Sequence, residues 1–215
     1  MDWHVWLAYF LAAWLIALSP GSGAVLSMSH GLQYGVRQTT ATIVGLQIGL
    51  ASILLVAGAG VGALLLASTT AFMVVKVLGA GYLIWLGVKQ WRAPVDGAAS
   101  DAAAPSEPAG LSVRQRLLRG ALTNATNPKG IVFMVAVLPQ FIDPNKPLAL
   151  QLAILLVTTL AVDSVVMHGY AFLASRLRAL MQSVRARRAQ NRMFGGVLMG
   201  MGASLLMVDR VSKAG

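Results

Sequence analysis

Several stretches of this chain, 5–26 and 39–66 among them, contain no charged residue. A helix of about 20 apolar residues is what crosses the roughly 30 Å hydrocarbon core of a bilayer, and these runs are long enough to do so. Hydrophobic residues make up 57% of the chain and charged residues 11%, with a mean hydropathy of +0.70. A soluble domain carries nearer ~25% charged residues, so the composition excludes one. The chain is read as an all-α integral membrane protein. With no cysteine, disulfides, thiolate metal sites and dithiol relays are excluded.

The hydropathy pattern predicts six transmembrane helices, at 5–26, 39–66, 71–88, 120–142, 148–175 and 193–208. The last is short, and Gly195, Gly196, Gly200 and Gly202 suit it to close packing. Trp3, Trp6, Trp85 and Trp91 fall near span ends, as interfacial aromatics do. The net charge of +10 invites a nucleic-acid reading, but the basic residues cluster in loops beside the spans and no nucleic-acid partner is expected. One side collects Arg37, Lys89, Arg92, Arg114, Arg116, Arg119, Arg176, Arg178, Arg185, Arg187, Arg188 and Arg192, whereas the other holds only Lys146, Arg210 and Lys213. The excess marks the cytoplasmic side and places both termini outside, in the periplasm of a bacterial inner membrane. The arginines at 185–188 could also attract anionic membrane lipids. The N-terminus carries Asp2 and no basic residue before the first span, so a cleaved signal peptide is not expected.

Residues 93–116, rich in Ala, Pro, Ser, Asp and Glu over their first part, read as a flexible cytoplasmic linker between repeats at 1–92 and 117–215. The opening span of each half carries a Pro-Gly break: Ser19-Pro20-Gly21-Ser22-Gly23 in the first and Asn127-Pro128-Lys129-Gly130 in the second. Proline lacks the amide proton that a helix needs and disfavours helical geometry at the residue before it. The closing spans echo each other as well, with Lys76 ahead of Gly79 and Ala80, and Arg192 ahead of Gly195 and Gly196. Three spans per half make the second half lie upside down, which predicts two inverted three-helix repeats with a site at the broken helices.

The runs Ser19-Pro20-Gly21-Ser22-Gly23-Ala24, Gly45-Leu46-Gln47-Ile48-Gly49-Leu50-Ala51, Gly81-Tyr82-Leu83-Ile84-Trp85-Leu86-Gly87, Leu122-Thr123-Asn124 through Asn127-Pro128-Lys129, Pro139-Gln140-Phe141-Ile142, and Asp163 with Gly169-Tyr170-Ala171 resemble the LysE/RhtB family of amino-acid exporters. The resemblance covers nearly the whole chain in order, leaving out only the linker and the C-terminal tail. It implies efflux of small amino acids or derivatives, such as homoserine, homoserine lactone or threonine, coupled to protons. No Walker-type phosphate loop is present, in keeping with a carrier that needs no bound ATP or other cofactor.

An amino acid brings a carboxylate and an ammonium, and a low-dielectric site must meet both. Helix N-termini at the two breaks, around Pro20, Gly21, Ser22, Gly23 and around Asn127, Pro128, would present free amide protons to the carboxylate. Lys129 would add a full positive charge, and a lysine at that depth costs roughly 3 kcal/mol on insertion scales. Asp163, the one acid well inside a span, could bind the ammonium, carry the coupling proton, or simply neutralise Lys129. Gln47 and Asn124 could contact substrate or bond between helices. Lys76 is expected to snorkel to the headgroups, and His168 to be a packed helix residue. Two other classes remain open: a small-cation exporter, for which a hard ion would want several acidic ligands, and a membrane-embedded enzyme, for which no His-Glu-x-x-His spacing is present. A homo-oligomer is compatible with all of these readings.

Overall fold

In the computed structural model, which describes residues 1–67, 69–93, 110–176 and 184–207, the described chain is helical with connecting turns. The helices are α1 (Trp3–Leu18), α2 (Ser22–Ala67), α3 (Thr69–Trp91), α4 (Val113–Ala125), α5 (Pro128–Val132), α6 (Leu148–Arg176) and α7 (Val184–Met207). Between α5 and α6 the chain widens into a π-helical turn, Phe133–Val137, and tightens into a 3-10 turn, Leu138–Phe141. Among the described residues, three helices are long and apolar enough to cross a membrane: Ser22–Gly60, Met73–Trp91 and Leu148–Arg176. Their outward faces are apolar too. On α2, for instance, Val44, Ile48, Leu55 and Val56 are exposed while Leu46, Leu50 and Leu54 are buried. This is a multi-pass membrane protein.

The first predicted span, 5–26, is not one helix. It stops at Leu18, because Pro20 cannot donate to the preceding turn, and helix resumes at Ser22. The expected connection around 27–38 is also largely absent, for α2 runs on to Gly35, where φ is +73°. That left-handed geometry suits glycine and splits α2 into two arms, 22–34 and 36–67. The split is needed on length alone. The 46 residues of α2 would make a rod of roughly 69 Å, over twice the ~30 Å core. At 16 residues, α1 spans only roughly 24 Å.

The fourth predicted span begins earlier than expected, at Val113, inside the stretch assigned to the linker. Ser112 fixes that start with a capping box: its hydroxyl accepts from Gln115 N–H while the Gln115 side chain accepts from Ser112 N–H. The helix stops at Ala125, ahead of Pro128. The sixth begins at Val184, nine residues before the expected Met193. Linker residues 94–109, the side chains at 184–187 and the C-terminal tail lie outside the described residues.

The most extensive packing is of α2 on α4 and α6, and of α3 on α7. The α2–α4 seam brings backbone against backbone. A Cβ on Gly45 would lie 2.0 Å from the Leu117 carbonyl oxygen, one on Gly49 2.2 Å from that of Ala121, and one on Gly120 2.1 Å from that of Thr42. Gly31 meets Ala171 on α6 in the same way, and Gly87 meets Gly195 between α3 and α7. At one end of the bundle Asp2 accepts from the Lys146 ammonium at 2.7 Å, and Gln151 closes the turn before α6 by bonding Asp143 and the Lys146 carbonyl. At the other, Arg116 donates to Gln38 at 2.9 Å and lies over the Tyr34 ring. Trp6 donates its indole N–H to Thr158 on α6, an interhelical contact. Lys76 is buried, 3% exposed, and does not snorkel as expected: its side chain turns into protein.

Candidate binding site at the two helix breaks

Both breaks open onto one cavity. Its wall includes Ala13, Ile16, Ala17 and Ser19 from the end of α1, Gly21 and Gly23 from the first break, Asn124, Asn127, Lys129 and Gly130 from the second, and Thr159, Asp163 and Met167 from one face of α6. The space measures about 520 Å³ when the open solvent at its mouth is counted. Apolar groups line most of it, with a few polar atoms between them, as such sites are built.

The two breaks touch. A Cβ on Gly21 would come within 3.1 Å of Lys129 Cε, and one on Gly23 within 3.1 Å of Asn124 Oδ1, so the glycines keep the first break thin where the second crosses it. Asn127 caps α5, its Oδ1 accepting from Lys129 N–H at 3.1 Å. The Lys129 ammonium donates to the carbonyls of Ile16, at 3.1 Å, and Ser19. These lie at the C-terminal end of α1, where carbonyls lack helical partners and the dipole favours a cation. Tyr170 completes the capping by donating to the Leu18 carbonyl at 2.6 Å.

Asp163 is bonded elsewhere: its Oδ2 accepts from Gln47 Nε2 at 2.8 Å. Lys129 and Asp163 thus share a cavity while making their hydrogen bonds with different partners, so a direct pair is not what holds either in place. Gln47 reaches the site through Asp163, and Asn124 donates its amide to the Leu46 carbonyl at 2.9 Å; both tie helices together. Of the sequence-predicted residues, Gly21, Gly23, Asn124, Asn127, Lys129 and Asp163 line the cavity, whereas Pro20, Ser22, Gln47 and Pro128 are not on its wall. Thr159 was not anticipated, although it precedes Asp163 by four residues and so shares its helix face. Its hydroxyl donates to the Leu155 carbonyl and accepts from Tyr9. His168 bonds the Ser164 carbonyl one turn back, as a packed helix residue does. Among the described residues no group of three His, Cys, Asp or Glu could hold a metal ion.

The sequence profile of the LysE type translocators matches residues 14–208, a stretch that contains both helix breaks and every cavity residue but Ala13. The chain belongs to the LysE type translocator family. Among the LysE relatives, a homoserine/homoserine lactone efflux protein of Salmonella typhimurium is 44% identical over 206 residues, covering 95% of this chain and 97% of its own. An uncharacterized membrane protein of Vibrio cholerae is 45% identical over 205 residues, covering 95% and 98%. A leucine efflux protein of Klebsiella pneumoniae is 32% identical over 203 residues, covering 93% of each chain. No solved structure matches significantly. The relatives with assigned activities are efflux proteins, so the LysE chain is a transporter and not an enzyme.

Proposed function

We propose that this LysE chain exports small amino acids, homoserine-like compounds among them, from the bacterial cytoplasm in exchange for protons. The observation that carries the reading is the placement of one cation and one anion, Lys129 and Asp163, on the wall of a single cavity with bonding capacity left on both. An ammonium has three N–H donors, and Lys129 spends two on carbonyls. A carboxylate has two oxygens, and Gln47 takes one of Asp163's. The remaining donor suits a substrate carboxylate and the remaining oxygen a substrate ammonium, with amide protons at the starts of α2 and α5 beside them. Asp163 would alternate between substrate and proton. The names of the Salmonella and Klebsiella relatives support amino acids as the class.

The same reading takes α1 with the 22–34 arm as one crossing in two pieces, and α4 with 128–141 as its inverted counterpart. Reciprocal packing supports it, since α1 lies on α6 and α4 lies on α2. With the arm 36–67, α3, α6 and α7 this gives six crossings in two inverted repeats, joined by the linker and set in the inner membrane with both termini periplasmic. Cells expressing the protein and preloaded with labelled homoserine should release it unchanged faster than cells carrying empty vector, and a protonophore should remove the difference. Equal release would overturn export; faster release untouched by the protonophore would overturn proton coupling alone.

A further inference from the structure

The cavity's polar side chains are Ser19, Asn124, Asn127, Lys129, Thr159 and Asp163, and all but one of them leave no buried polar atom without a partner. Thr159 both donates and accepts within the protein. Asn124 gives one amide N–H to Leu46 and Asn127 its carbonyl oxygen to the α5 cap, and neither leaves a buried atom without a partner. The charged pair is occupied by the two ends of a zwitterion in the function proposed above. Ser19 is the exception. Its hydroxyl is fully buried, 0% exposed, and has no hydrogen-bond partner.

Its backbone, in contrast, is pinned on both sides: Ser19 N–H donates to the Leu15 carbonyl and its own carbonyl receives the Lys129 ammonium. Pro20 fixes the next φ. Ser19 is therefore held on the cavity wall beside the cation that would seat the substrate's carboxylate. A buried hydroxyl without a partner is costly, and a purely aliphatic substrate would leave it so. A substrate with an oxygen on its side chain would relieve it.

We infer that Ser19 is the specificity-determining residue of the site, bonding the side-chain oxygen of a hydroxylated amino acid and so selecting it over an aliphatic isostere. This rests on the exporter reading and adds to it which part of the substrate is discriminated, and by which atom.

The test compares homoserine with norvaline, which carries a methyl group where homoserine has its hydroxyl, using purified protein in vesicles with a proton gradient. Wild type should move homoserine faster. Ser19→Ala should lower the homoserine-to-norvaline ratio by about three- to tenfold, the value of one neutral hydrogen bond, while norvaline transport stays or rises. An unchanged ratio in Ser19→Ala would overturn the inference and leave the exporter reading standing. If wild type moves neither compound, the exporter reading falls and this inference with it. Ser19→Cys gives a readout independent of turnover, because its thiol would be the chain's only one. Homoserine should slow its labelling by a small methanethiosulfonate more than norvaline does; equal protection by the two would also overturn the inference.

Discussion

Asp163 depends for its place on Gln47, and Lys129 on the carbonyls of α1, so removing one charge does not strip the other of its hydrogen bonds. Asp163→Asn keeps the size and the bond to Gln47 but removes the titratable charge. It should insert normally and lose gradient-driven efflux to the level of empty vector, measured per membrane-inserted protein with and without a protonophore. The double variant with Lys129→Gln should not recover transport. Recovery there would mean that Asp163 serves only to neutralise Lys129. Both residues were legible in the sequence, since an acid and a lysine inside apolar spans stand out by their cost. Their bonds were not. Lys129 is satisfied by main-chain carbonyls, which no residue letter reports, and Ser19 was quoted within its break motif without any sign that its hydroxyl faces a cavity unused.

Helix α2 carries glycines that look alike in sequence and do opposite things. Gly35 ends the first arm by a positive φ, while Gly45 and Gly49 continue the second arm and let α4 reach its backbone. The prediction here is a contrast. Gly45→Ala puts a methyl carbon 2.0 Å from a carbonyl oxygen and should destabilise the protein by about 1–3 kcal/mol. Gly81→Ala, with nothing within 4 Å, should be neutral or stabilise by about 0.5–1 kcal/mol through helix propensity. Thermal unfolding in detergent compares the two, and equal midpoints would deny that the seam is tight. The same ambiguity explains which boundaries sequence reasoning found. α6 was placed almost to the residue because its apolar run is bounded by polar turns, and the Pro-Gly breaks were visible because proline has one consequence in a helix. The 22–34 arm was missed beyond residue 26, where Gly31 is a close contact with Ala171. Nothing but Pro139 hinted at the π and 3-10 turns.

Across the whole molecule, the basic residues described at one end, Arg116 among them, stand apart from the end where Asp2 meets Lys146. A reporter inserted between residues 98 and 104 should therefore behave as cytoplasmic, and one fused after Gly215 as periplasmic; a cytoplasmic signal from the C-terminal fusion would contradict the six-crossing arrangement. The capping of α1 by Lys129 matters at this scale for a different reason. Every exporter has to make a return stroke, swinging back with no cargo through a solvent that punishes a bare charge. Most of a cycle's waiting time can be lost there if the unloaded site holds a naked cation. Here the lysine has a resting berth: two carbonyls at the end of α1 solvate it when no carboxylate is present, and in the function proposed a carboxylate would take the third donor without displacing them. The site's cation is thus at home in the unloaded carrier, and the proposed cargo would find it already in place.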